Sequence, residues 1–295
     1  MIRSVGVAGP VKVAWVLVWQ LRYDLLAVVI VAALMMPIPD AVQSENALAV
    51  LSVLGIAASI FIGFRNSNAY ARWWEARTLW GGIIINSRAL HNGLQSVDTG
   101  AAAMAPIVNR MRRRQVRHAW QLAAEMRGIP AVPGVVELTP EDPADASATD
   151  LIVFQADDIH KLRAGRYIDD QARVMLMAAN TGTVTAQSGL ERVRNQPVPI
   201  HYDLFIRAMA WFFGIMVFNR LDGASHHIAS IVIGFLVMAV FVIAERVGHF
   251  IEEPMSNTVF DLPMYRLCTL ITGNLLGAGH PLAQPQDSAT AMVWR

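Results

Sequence analysis

Glu245, His249 and Glu253 fall four residues apart along one predicted helix. A helix turns once every ~3.6 residues, so the three side chains share a face and could supply two or three metal ligands. The same spacing also makes an ordinary polar face just beyond an apolar segment. No further His/Cys cluster accompanies it, so no metal and no other cofactor is predicted. The carboxylate pairs Asp157-Asp158 and Asp169-Asp170 could in principle hold Mg²⁺, but they read better as surface or vestibule charges. His226 and His227 are adjacent, and adjacent residues diverge by about 100° on a helix, which makes a poor chelating pair. Cys268 has no histidine near it in sequence, and the chain has neither a Gly-rich phosphate loop nor an HExxH motif. No catalytic constellation emerges, and the chain is not expected to be an enzyme. The rival within this chemistry is a membrane-embedded metal enzyme using Glu245, His249, Glu253 and the aspartate pairs.

Other charges have a more specific setting. Residues 47–64 form a run of 18 without a charge that stops at Arg65. A helical pattern with Arg72, Trp73, Trp74, Glu75, Arg77 and Trp80 follows, with no turn residue at the junction. Arg72 and Glu75 stand three apart and can pair on one helix face. Trp73, Trp74 and Trp80 are expected to pack neighbouring helices. Within the uncharged run, Gly55, Ser59 and Gly63 recur every four residues, and so do Ile56, Ile60 and Phe64. On a helix these are two adjacent stripes. The small stripe lets a neighbouring helix approach. The apolar stripe would project beside that contact. Repeated around a ring of identical chains it would form stacked apolar collars, which gate by excluding water.

The chain is 54% hydrophobic with mean hydropathy +0.39, and 16% of its 295 residues are charged. A soluble domain carries about 25% charged residues, so a membrane protein with a sizeable polar portion is predicted. The net charge of +1 carries no polyanion-binding signal, and no nucleic-acid partner is expected. One cysteine excludes an intrachain disulfide framework. Trp15, Trp19, Arg22 and Asp24 break up the N-terminal apolar stretch, so it is read as retained rather than as a signal peptide.

Four apolar segments stand out, at residues 25–36, 47–64, 208–218 and 228–244. A free-standing span needs about 20 apolar residues. These shorter runs are read as short or tilted spans whose polar ends are covered by other subunits or face water. Arg3, Lys12 and Arg22 precede the first, the loop 38–46 has only Asp40 and Glu45, and Arg65, Arg72, Arg77 and Arg88 follow the second. The positive-inside rule then makes both termini and the middle segment cytoplasmic. In that middle segment, residues 65–96 continue the second span. Ala105–Arg127 is an amphipathic helix whose run Arg110, Arg112, Arg113, Arg114 and Arg117 is expected to be a solvated face. Residues 128–150, rich in proline and acid, read as a surface loop, and 157–194 as helix. Strand-like alternation is absent, so the fold class is all-α.

The stretch GFRNSNAYARWWEARTLWG (63–81) closely resembles the signature of the bestrophin family in its bacterial branch. PVPIHYDLF (197–205) and EEPMSNTVFDLPMYRLC (252–268) extend the resemblance over nearly the whole chain. It implies an integral membrane protein of four membrane helices and a helical cytoplasmic domain, assembling with itself as a homopentamer around one pore in the bacterial inner membrane. Residues 1–64 would hold an N-terminal cytoplasmic segment and the first two membrane helices. Residues 65–200 would be the cytoplasmic helical domain, 201–245 the other two membrane helices, and 246–295 a C-terminal cytoplasmic segment. Ile56, Ile60 and Phe64 would be the pore neck, with Arg65, Arg72, Trp74, Glu75 and Arg77 as motif residues. Matching Leu162-Arg163, Asp170 and Pro197 places Gln171 at the cytoplasmic aperture, flanked by Asp169 and Asp170. Acidic rings attract cations, so the implied partners are membrane lipid and a permeant monovalent cation such as sodium. A chloride channel, as in eukaryotic bestrophins, and a non-conducting scaffold are the alternatives. Eukaryotic members bind Ca²⁺ through an acidic cluster after the fourth span. Here Glu252, Glu253 and Asp261 occur without a run of aspartates, and Ca²⁺ takes about six to eight oxygen ligands, so no Ca²⁺ site is predicted.

Overall fold

The chain is described by a computed structural model over residues 15, 18–36, 45–223, 228–258 and 260–284. Its helices are α1 (Arg22–Met35), α2 (Glu45–Val97), α3 (Ala105–Arg127), α4 (Ala148–Ala164), α5 (Asp170–Asn195), α6 (Ile200–Gly223), α7 (Ile228–Glu252) and α8 (Met264–Leu276). No strand occurs among the described residues, and the fold is all-α.

Two compact units divide the chain. The first draws its described residues from Met1–Arg72 and Val198–Glu253, the second from Trp73–Pro197 and Pro254–Arg295. Nothing interrupts α2, which continues from the first unit into the second. No proline lies between Glu45 and Val97 to break it, and the helix carries the adjacent Gly81 and Gly82 without a break.

The first unit packs α1, the start of α2, α6 and α7. Among the described residues, three helices are long and apolar enough to cross a membrane: Leu48–Val97, Ile200–Leu221 and Ile228–Glu252. The 14-residue α1 is shorter than the ~20 residues a span requires. Its Val28 and Ala32 pack on Phe218, Met238, Ala239 and Val242. Close approach here depends on absent side chains. A Cβ on Gly55 would lie 2.9 Å from the Phe213 ring of α6, and one on Gly214 would lie 2.9 Å from Met238 of α7.

The second unit gathers the rest of α2 with α3, α4, α5 and α8. Trp80 and Trp120 are fully buried in its larger core, where Trp120 donates to Thr272 Oγ1 at 3.0 Å. Gly128 ends α3 in the left-handed region at φ 64°, and the Ile129 N–H closes on the Ala124 carbonyl at 3.1 Å.

Three sequence expectations change here. The basic run of α3 is not a solvated face. Arg114 and Arg117 are 3% and 0% exposed. Arg114 bonds Asp142 at 2.6 Å and Asp158 at 2.6 Å, and Arg110 bonds Asp158 at 2.6 Å. Arg117 donates to Thr139 Oγ1 at 2.9 Å and to the Pro143 carbonyl at 2.6 Å. The acidic segment after α3 is therefore folded onto the helix, and Asp158 is a buried partner, not a surface charge. Burial alone would raise its carboxyl, but hydrogen bonds from Arg110 and Arg114 outweigh that and hold it below the usual carboxylate range. The expected loop also ends earlier, because Ser147 and Asp150 form a capping box that starts α4 at Ala148. Finally, 157–194 is not one helix. Arg166 takes φ 57°, and Asp169 accepts the Ala172 N–H at 2.7 Å to start α5.

His118 of α3 is 1% exposed, and its Nε2–H donates to Gln187 Oε1 of α5 at 2.8 Å. Gln187 in turn donates to Thr149 Oγ1 at 2.8 Å and Glu191 Oε1 at 2.7 Å, which fixes its amide orientation. Burial pushes His118 down to about 4, against a smaller opposing effect of the Gln187 bond. The unfolded chain then binds the extra proton between an ordinary histidine value of about 6.5 and the folded value. The contribution of this group is complete above that window and falls by on the order of 3 kcal/mol by pH 4. Thermal unfolding of the wild type and His118→Gln between pH 7.5 and 4.5 should show the melting temperature falling more steeply with acid in the wild type. Parallel curves would contradict the assignment.

Candidate functional site

Two faces of α2 have opposite character in the first unit. Ala58, Ile62, Arg65 and Ala69 recur at helical spacing and are buried. Ile56, Ile60 and Phe64 stand on the open side at 63%, 49% and 62% exposure. The small-residue stripe is only partly a packing surface. Gly55 receives Phe213, but the Ser59 hydroxyl turns back to the Gly55 carbonyl at 2.8 Å and Gly63 has no neighbour where a Cβ would be. An exposed stripe of two isoleucines and a phenylalanine offers no hydrogen bond. It can dehydrate what passes it, pack on lipid or pack on another chain.

Directly behind the stripe sits a charged cluster. The Arg65 side chain is 3% exposed and reaches two helices. Its Nη1 donates to Glu245 Oε1 of α7 at 2.6 Å. Its Nη2 pairs with Asp203 of α6, and lies 3.4 Å from His249 Nδ1 and 3.5 Å from Glu252 Oε2. Arg207 adds contacts to Asp203 at 3.3 Å and Glu245 at 3.6 Å. On one side Arg246 pairs with Asp24 of α1 at 3.0 Å. An unpaired buried charge is strongly destabilising, whereas forked guanidinium–carboxylate pairing satisfies both partners.

The cluster revises the predicted metal face. Ligand atoms of Asp203, His249 and Glu252, not Glu253, come within 4.8 Å of one another. The position a cation would take among them is filled by the Arg65 Nη2 group, which contacts all three. A divalent ion would have to displace a buried guanidinium. Asp203 and Glu252 were missed as site residues from sequence alone, although both lie inside the family-like stretches 197–205 and 252–268. Nothing in helical spacing joins α6 to Arg65.

The other singled-out residues separate. Arg72 donates to the Glu252 carbonyl at 2.9 Å, while Glu75 pairs with Arg192 of α5, so each finds a partner outside α2. Trp73 donates to the Phe260 carbonyl at 2.9 Å; Trp74 is 56% exposed and Arg77 half-buried. At the start of α5, Gln171 is exposed, Asp169 caps the helix and Asp170 is held by Arg163 at 2.6 Å. Asp157 lines an open cleft beside Phe154 and Lys161. Asp261 accepts from the Asn257 N–H at 2.7 Å and the Thr258 N–H at 3.0 Å, so it serves its own loop; burial raises its carboxyl against those bonds. Cys268 is fully buried, and burial pushes its thiol up, away from the reactive thiolate. His226 and His227 lie outside the described residues.

Comparison with known proteins gives a consistent result. The family described as Bacterial/Fungal Bestrophin protein matches residues 11–277. The voltage-dependent anion channel-forming protein YneE of Escherichia coli O157:H7 is 29% identical over 235 residues, 78% of this chain and 76% of that protein. The voltage-dependent anion channel-forming protein RSc3414 of Ralstonia nicotianae is 25% identical over 262 residues, 82% of this chain and 81% of that protein. A solved bacterial bestrophin homologue from Klebsiella pneumoniae is similar with TM-score 0.76 and 25% identity, covering 88% of this chain and 100% of that one.

With a guanidinium among its candidate ligands, the purified protein should keep its melting temperature on treatment with EDTA, and should not gain stability on added Zn²⁺ or Mg²⁺. A drop of several degrees with chelator, restored by metal, would place an ion among Asp203, His249 and Glu252.

Proposed function

The chain belongs to the bacterial/fungal bestrophin family, and from that premise we propose that it is a passive channel for small monovalent ions, not an enzyme. The observation that carries this reading is the exposed apolar stripe Ile56, Ile60 and Phe64 on the longest membrane-competent helix. A ring of five copies, the assembly implied by the family resemblance, would turn that stripe inward as a dehydrating neck. Such collars gate by excluding water and pass ions when short or mobile. The same reading puts the protein in the bacterial inner membrane with both termini cytoplasmic, and makes residues 65–200 the cytoplasmic domain and Gln171 the lower aperture.

Selectivity is better supported for anions than for the sodium expected from sequence. The relatives from Escherichia coli and Ralstonia are named as anion channel-forming proteins. The two acids flanking Gln171 also do not act as a free acidic ring. Asp169 is a helix cap, and Asp170 shares its charge with Arg163. Between Lys161 and Arg173 the chain carries four basic side chains against two acidic ones, which favours anions at a mouth built there. One observation keeps the cation reading as the second: Asp170 is 74% exposed, so its field reaches solvent.

Purified protein in planar bilayers under a NaCl gradient should conduct, with a reversal potential shifted towards the Cl⁻ equilibrium potential. A shift towards Na⁺ would restore the cation reading, and silence from folded, oligomeric protein would refute the channel. Ile60→Ala should raise unitary conductance or change rectification by widening the collar; an unchanged current would count against the neck.

A further inference from the structure

Phe64, the last residue of the neck in this reading, is followed directly by Arg65. Adjacent helical side chains point about 100° apart. Phe64 therefore stands on the open face while Arg65 turns into the bundle, 62% and 2% exposed respectively. From that buried side Arg65 holds α6 through Asp203, and α7 through Glu245 at 2.6 Å and Glu252 at 3.5 Å. Arg207 braces Asp203 and Glu245 from α6. The next residue on α2, Asn66, donates to the Ala244 carbonyl at 3.2 Å. Gly248 leaves the room that Asn66 occupies, because a Cβ there would collide with the amide oxygen. Further along, Arg72 donates to the Glu252 carbonyl at 2.9 Å.

All these ties lie on one side of α2 and resist the same motion. Turning α2 about its axis to move Phe64 would drag Arg65 away from three carboxylates and Asn66 out of the Gly248 notch. Resting on the channel reading above, we propose that Arg65 is a positioning residue for the neck: its bonds to Asp203, Glu245 and Glu252 set the rotation of α2 and thereby how far Ile60 and Phe64 project into the ion path. The residue touches no permeant ion in this account. It acts through the two side chains that do.

Two variants of the full-length chain test this. Arg65→Lys keeps the charge but replaces the forked guanidinium with a single ammonium. The triple variant R65Q/D203N/E245Q removes the cation together with its two nearest carboxylates, so that neither sign of that pair is left buried without the other. Each is compared with the wild type for assembled size, melting temperature and unitary current in planar bilayers. Both variants should assemble at wild-type size yet show a shifted unitary conductance and an altered current–voltage shape, with Arg65→Lys nearer the wild type than the triple variant. Wild-type current and rectification in both would overturn the proposal. So would failure of both to assemble, since the cluster would then serve folding and not the neck. A silent wild-type protein, by contrast, would refute the channel itself.

Discussion

A guanidinium keeps its charge even inside an apolar helix bundle, so burying one requires anionic partners. Losing one member of a buried ion pair costs about 3–5 kcal/mol. Arg65 meets this constraint with one carboxylate from α6 and two from α7. Much of the first unit is arranged around that requirement. Asp203 must lie at the start of α6 and Glu245 and Glu252 two turns apart near the end of α7. Gly248 must lack a side chain so that α2 can come close enough.

The constraint has a consequence on the opposite face. With Arg65, Ala58, Ile62 and Ala69 directed inward, helical geometry leaves Ile56, Ile60 and Phe64 no alternative to the open side. An apolar stripe there is useful to a channel for the reason that it is unfavourable in water: it offers ions nothing in place of their hydration. In the proposed channel the aperture charges belong to another element, the start of α5, where caps and ion pairs already engage the acids. In such a channel, dehydration and charge selection are thus assigned to different parts of the chain.

What could be read from sequence follows the range of the interactions. The α3 boundaries were legible because Gly128 sits at its C-terminus, and α2 was legible as continuous because no breaker follows Phe64. The two stripes were visible as spacing alone. Contacts between distant segments were not. Arg114 looks like part of a solvated basic run until Asp142 and Asp158, 28 and 44 residues away, fold onto it. Arg72 and Glu75 suit each other as helical neighbours, yet tertiary partners take both. The metal-like face at Glu245, His249 and Glu253 had the right period, but the ligand atoms that converge are those of Asp203, His249 and Glu252, and Arg65 stands among them. Gly63 fits the small-residue stripe, yet among the described residues nothing lies where its Cβ would be. Local backbone chemistry was readable, while the pairing of charges across helices needed the fold.

The most direct test of the account is cysteine accessibility along α2 in conducting protein. Single cysteines would replace Ile56, Ile60 and Phe64 on the open face and Ala58 and Ile62 on the buried one. A water-soluble thiol reagent would then be added during current recording. Cys268 is fully buried and supplies no background reaction. Current should be blocked at 56, 60 and 64 and unaffected at 58 and 62. Block at 58 or 62, or no block at all three open positions, would contradict it.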